Sequence, residues 1–179
     1  MVFGTEALLR LVREEKLVTG LSERELKNPE GAGFDLRLGK VRRLIGAGFL
    51  GITERGTPDS ELLMVFEEGK LRTFQLQPEQ VVLSTTVESV KMPRDLTAII
   101  EPRSTLYRSG VIMRGGNVAP GYEGTLSFPL YNAHTEPMLI EMGARFVHII
   151  FLQVFGDANM YRGQWVGGRE IAAVREVQV

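Results

Sequence analysis

The chain has 179 residues and a net charge of −1. Its 44% hydrophobic and 24% charged residues suit a single soluble domain with a sizeable core, and nothing in the balance pulls generally toward nucleic acid or membrane. There is no cysteine, so disulfides, thiolate nucleophiles and thiolate zinc sites are all excluded. The N-terminus lacks an apolar signal region, and the longest apolar run, residues 146–152, is far too short to span a bilayer, so a cytoplasmic protein is expected.

In chain order, Thr5 followed by Glu6, Leu8, Leu9, Leu11 and Val12 predicts an N-capped amphipathic helix ending near Gly20. Ser22-x-x-Glu25 is a capping-box pattern opening a short second helix, stopped by Asn28–Pro29. Residues 34–39 alternate apolar and polar, as a half-buried strand does. Further strands are expected at 62–67, 72–76, 80–86, 96–100, 125–131, 138–141 and 145–155, separated by Gly, Pro and Asp clusters. Many short strands and few helices predict a mainly β sandwich or barrel behind a helical cap over 1–28, the whole of 1–179 forming one domain. Residues 159–179, glycine-rich around Trp165, read as a mobile tail.

Three short constellations carry chemistry. Arg103-Ser104-Thr105-Leu106-Tyr107-Arg108 reads as a polar loop whose guanidinium forks and hydroxyls suit phosphate oxygens; the competing reading is a solvated turn with Arg103 paired to Glu101. Residues 110–124 hold Gly115–Gly116, where backbone can approach a ligand closely, then a Pro120–Gly121 turn and Tyr122, which either offers its ring to a base or sugar or packs on the core. Tyr161-Arg162-Gly163-Gln164-Trp165, with Gly167, Gly168 and Arg169, can fold over a nucleotide as a lid or hang as a plain tail. His134 falls in a turn and His148 inside an apolar strand, neither near a second ligand at metal spacing, so both read as structural. No phosphate-binding P-loop, Rossmann fingerprint, H-E-x-x-H or G-x-S-x-G is present.

In order, these segments resemble the dCTP deaminase branch of the dCTP deaminase/dUTPase superfamily. Gly33-Phe34-Asp35-Leu36-Arg37-Leu38-Gly39 is similar to that branch's D-L-R-L-G element. Residues 74–88 resemble its F-x-L-x-P…T-x-E strand pair. Glu101-Pro102-Arg103-Ser104-Thr105-Leu106 is similar to E-G-R-S-S-L. Pro120-Gly121-Tyr122 with Gly124, then Tyr131-Asn132, resemble P-G-[WY]-x-G and the Y-N that follows, and Tyr161-Arg162-Gly163-Gln164 resembles the Y-x-G-Q of the lid. The resemblance implies a distorted jelly-roll or barrel-like fold of dUTPase type, a homotrimer with sites between subunits, and a deoxynucleoside triphosphate carrying Mg²⁺. No zinc is implied, which suits a chain without the P-C-x-x-C ligands of zinc deaminases. It assigns Arg103, Ser104, Thr105 and Arg108 to the phosphates, with Ser104 and Arg108 also beside the reacting atoms. Tyr122 and Tyr161 join the nucleotide site, and Gln164 reaches the triphosphate from the lid.

The chain departs from this pattern where the chemistry is done. The family's general-base glutamate falls on Pro129, its deoxyribose-contacting aspartate on Ala119 and its lid lysine on Met160. Proline and alanine accept no proton, and a general base contributes about 10²–10⁴-fold. Glu123, Glu101 or a partner chain are the carboxylate sources left open. Three readings follow: a dCTP deaminase-like hydrolase, a dUTP diphosphatase with a relocated base, and a nucleotide-binding or regulatory paralogue without turnover.

Overall fold

The computed structural model describes residues 1–178. Helix α1 (Thr5–Glu15) is capped by Gly4 without a side-chain bond, so Thr5 is its first helical residue rather than its cap. It ends at Lys16, in left-handed conformation at φ 58°, short of Gly20. The reason is tertiary: Leu17 and Val18 are buried, and β1 (Val18–Thr19) already pairs with β7 (Val81–Lys91). Helix α2 (Glu23–Lys27) starts at Ser22, whose Oγ accepts from the Glu25 amide at 3.4 Å. The reciprocal half of the capping box does not form, because the buried Glu25 carboxylate accepts from the Asp35 amide at 3.0 Å instead.

The remaining elements are β2 (Gly33–Ile45), β3 (Phe49–Leu50), β4 (Glu54–Gly56), β5 (Asp59–Val65), β6 (Thr73–Leu76), β8 (Leu96–Pro102), α3 (Ser104–Arg108), β9 (Val111–Met113), β10 (Asn117–Val118), β11 (Glu123–Asn132), β12 (Met138–Glu141), β13 (Arg145–Gln153) and β14 (Glu176–Val177). The main sheet runs β10-β8-β13-β2-β7-β11-β9, antiparallel throughout, with β5 added on β2. Strand β2 bends the sheet round: residues 33–37 pair with β13 and residues 38–43 with β7, with a register shift between Leu38 and Lys40. The small ladders β12-β6 and β14-β4-β3 lie off this path. The expected mainly β fold of dUTPase type is present. The elements that sequence reading passed over are the strands of two or three residues, too short for a period to show, and α3, which replaces an expected loop.

The alternation at 34–39 has a stronger meaning than a half-buried strand. Phe34, Leu36 and Leu38 enter the core, and the polar residues between them are covered as well. Asp35 is buried under Arg103, Arg145 and His148. Arg37 lies on the fully buried Glu88, its Nε donating at 2.7 Å and its amide at 2.8 Å. Such pairs are weak sources of net stability, but leaving one partner alone in the interior costs about 3–5 kcal/mol.

Candidate functional site

The central feature is a hairpin and the chain that crosses it. A turn closed by the Tyr122 amide on the Ala119 carbonyl, at 3.2 Å, leads into β11. There β11 pairs with β7, and its register shifts between Thr125 and Ser127. Tyr122 is buried, and its hydroxyl donates to the Thr125 carbonyl at 2.5 Å across that irregularity. Burial, and then neighbouring Tyr161, push the Tyr122 phenol up to about 12, so at neutral pH it is a hydrogen-bond donor and not a base. The Tyr122 ring packs in the core cluster, as one of its two expected fates has it, and also forms part of a cavity wall.

The C-terminal segment expected to be mobile follows a defined path over this hairpin. The Tyr161 amide donates to the Pro120 carbonyl at 2.7 Å, and the Gly167 amide to the Glu123 carbonyl at 2.7 Å. The Tyr161 ring stands edge-on to Tyr122 at 5.3 Å. Gly124 makes the crossing possible: a Cβ there would lie 2.1 Å from the Gly168 nitrogen, so the two backbones meet where no side chain fits. Further on, Glu170 is held against β2, with Lys40 Nζ at 2.8 Å and Arg42 Nε at 2.5 Å. Burial pushes the Glu170 carboxyl up, but Lys40 and Arg42 outweigh it and hold the group below the usual carboxylate range.

Between hairpin and segment lies a cavity of about 470 Å³, within the range of small-ligand sites. Residues 114–119 form one wall, Tyr122 and residues 125–128 another, and Tyr161, Trp165, Arg169 and Glu170 close it. Ala119 is in the wall, so the position implied to face the deoxyribose carries only a methyl group. Gly115 packs tightly on the protein itself: a Cβ there would meet the Ile100 carbonyl oxygen at 2.0 Å. Arg114 and Glu170 belong to this cavity and were missed from sequence, because a single charged residue in a loop or tail reads as solvated surface.

The other expected residues lie apart. Ser104, Thr105 and Arg108 are exposed on α3 and do not line the cavity. Arg108 makes no side-chain hydrogen bond or ion pair among the described residues. Arg103 turns inward to the Asp35 carboxylate, so the pairing with Glu101 is not formed; Glu101 is exposed. Burial raises the Asp35 carboxyl, but the His148 hydrogen bond and the Arg103 and Arg145 charges hold it below its ordinary value. Arg103 and Thr105 border a second depression, of about 540 Å³, together with Arg145. Gln164 does not face the first cavity; its Oε1 accepts from Arg55 Nε.

Pro129 is exposed on β11, one residue beyond the end of the β9 ladder, where a missing N–H is tolerated. Asn132 is a structural clamp: its Nδ2 donates to the Leu76 and Glu136 carbonyls at 3.1 and 2.9 Å, and its Oδ1 accepts from the His134 amide at 2.9 Å. His134 Nδ1 accepts from the Glu136 amide within the same turn, and His148 Nδ1 lies 2.8 Å from Asp35, so both histidines have structural partners. Among the described residues no group of three or more His, Cys, Asp and Glu is placed to hold a metal ion.

The profile of the dCTP deaminase-like family matches residues 2–154. The dCTP deaminase of Pyrococcus furiosus is 35% identical over 162 residues, covering 90% of this chain and 91% of that one. A dUMP-forming dCTP deaminase of Persephonella marina is 32% identical over 179 residues, covering 98% and 97%. The crystal structure of a 2'-deoxycytidine 5'-triphosphate deaminase from Agrobacterium tumefaciens shares the fold at a TM-score of 0.65 and 18% identity; 86% of this chain aligns with 46% of that longer chain. By sequence match the chain belongs to the dCTP deaminase-like family.

Proposed function

We propose that this protein binds a deoxynucleoside triphosphate, dCTP first among them, with the nucleoside in the cavity between hairpin and C-terminal segment. On this reading it is a dCTP deaminase-like hydrolase slowed by the loss of its general base. The observation that carries the reading is the cavity itself. It is walled by two of the three chemistry-bearing constellations of the sequence, with aromatic rings from Tyr161 and Trp165 and hydroxyls from Thr125 and Ser127. The phosphates would meet Ser104, Thr105 and Arg108 of a neighbouring subunit, since those exposed groups do not line the cavity of their own chain. Exposed Ile99, Tyr107 and Ile112 on and beside α3 support an assembly there, the homotrimer being the form expected. Mg²⁺ would be carried on the triphosphate, as the ion usually is when no protein cage is built for it. No helix of the described residues is long and apolar enough to cross a membrane.

Within such a site the residues present can bind and orient but have lost two proton acceptors. Tyr122 donates and does not accept at neutral pH. Pro129 and Ala119 do neither. Loss of the base lowers turnover by about 10²–10⁴-fold. A second reading, a nucleotide-binding protein without turnover, is favoured by the same two residues.

Incubation with dCTP and with dUTP in Mg²⁺, followed by chromatography for deaminated base and released pyrophosphate, separates the readings. Deamination above a Ser104→Ala, Arg108→Ala double variant establishes the hydrolase; pyrophosphate from dUTP alone would make it a diphosphatase. A nucleotide-dependent rise in melting temperature without products establishes the binding protein, because a ligand of the native state stabilises it by mass action. Neither signal would end the nucleotide assignment.

A further inference from the structure

We propose that Glu170 reads the nucleobase: its carboxylate accepts a hydrogen bond from the exocyclic amine of cytosine and disfavours uracil. The proposal rests on the assignment of the cavity to a deoxynucleotide. Among the described residues Glu170 is the only carboxylate in the cavity wall, where the other charged groups are the guanidinium ions of Arg114 and Arg169.

Its geometry is fixed before any ligand arrives. The side chain is 9% exposed, with one cation on each oxygen: Lys40 on Oε1 at 2.8 Å and Arg42 on Oε2 at 2.5 Å. A carboxylate oxygen accepts about two hydrogen bonds, so each oxygen keeps one free direction. The two cations also hold the group ionised, although burial opposes them. An ionised, immobilised carboxylate is an acceptor with no proton to give. It is a weak base for activating water, and a good reader of an N–H donor. Cytosine presents an amino group at the position where uracil presents a carbonyl oxygen, which a carboxylate repels. Tyr161 and Trp165 in the same wall supply flat apolar surface for the ring.

The same ion triad also straps the C-terminal segment to β2, so the test must separate reading from strapping. Wild type, Glu170→Gln and Glu170→Asp are titrated calorimetrically with dCTP and with dUTP in Mg²⁺. Emission of Trp165, the sole tryptophan, reports whether the segment is docked before nucleotide is added. The expected result is a wild-type preference for dCTP of about tenfold or more. Glu170→Gln should lose affinity for dCTP on the order of tenfold to a hundredfold while binding dUTP as well as before, with Trp165 emission unchanged. Glu170→Asp, which keeps the charge and shortens the reach, should fall between. Parallel loss of both nucleotides with a red-shifted Trp165 would show a strap only and overturn the proposal. So would a wild type that binds both nucleotides equally. A wild type that binds neither overturns the cavity assignment itself, an outcome distinct from the other two.

Discussion

The cavity and the α3 rim show two ways of presenting polar groups. Around the cavity every element is tied within one chain: Tyr161 to Pro120, Gly167 to Glu123, Glu170 to Lys40 and Arg42. On α3 the hydroxyls of Ser104 and Thr105 and the Arg108 guanidinium stand exposed and, for Arg108, unpaired among the described residues. The first region is a pocket built within one chain, and the second is a set of exposed donors outside it. On the proposed reading, a triphosphate that uses both regions bridges two copies of the chain. Mutations that break the backbone crossing of the C-terminal segment over the hairpin should therefore disturb the fold and binding together, and mutations on α3 should disturb binding alone.

The sharpest break is Gly124→Val. Its Cβ would strike the Gly168 backbone, and the residue sits at φ +139°, where side chains are strained. Overpacking and backbone strain each cost about 1–3 kcal/mol. The C-terminal segment should detach, Trp165 emission should shift red, and the dCTP-dependent rise in melting temperature should vanish. Next comes Arg108→Ala, which should leave the ligand-free stability within about 0.5 kcal/mol of wild type, as at other surface sites. Its dCTP affinity should nonetheless fall on the order of tenfold to a hundredfold, the value of a hydrogen bond to a charged group. An equal loss of ligand-free stability would place Arg108 in the structural set instead.

Acid should act on the tied region. Asp35 and Glu170 both have folded values below their ordinary 3.8 and 4.5, so each adds stability that is present above those values. That stability is lost as pH falls from there through the depressed folded values. A melting series from pH 6 down to about pH 3 should show the decline, and Glu170→Gln should flatten its upper part. The smallest effect expected is that of Tyr122→Phe, which removes the bond to the Thr125 carbonyl and should cost about 1 kcal/mol by thermal unfolding. In wild type the Tyr122 phenolate should not form until about pH 12 by ultraviolet titration.

Sequence legibility followed the same division. The long strands and the order of motifs were readable because a two-residue period and fixed turn residues are local signals. Phe34, Leu36 and Leu38 went inward as their alternation said. What was hidden depended on distant partners. Asp35 and Arg37 read as surface, and they are covered by residues 113 and 51 positions away. Arg103 read as a phosphate donor or as a partner of Glu101, and the fold pairs it with Asp35 instead of Glu101. Glu170 gave no signal, because only the crossing of the tail over β2 makes it part of a wall. The absence of carboxylates at Pro129 and Ala119 was legible at once, since it needed only the residue types.

The most direct test of the account is a fluorescence titration of the intact protein with dCTP and Mg²⁺, read at Trp165. The account predicts a saturable change in emission in wild type that moves to higher nucleotide concentration in Arg108→Ala. Emission indifferent to dCTP and dUTP at millimolar concentration would contradict it, and the cavity would then be no nucleotide site.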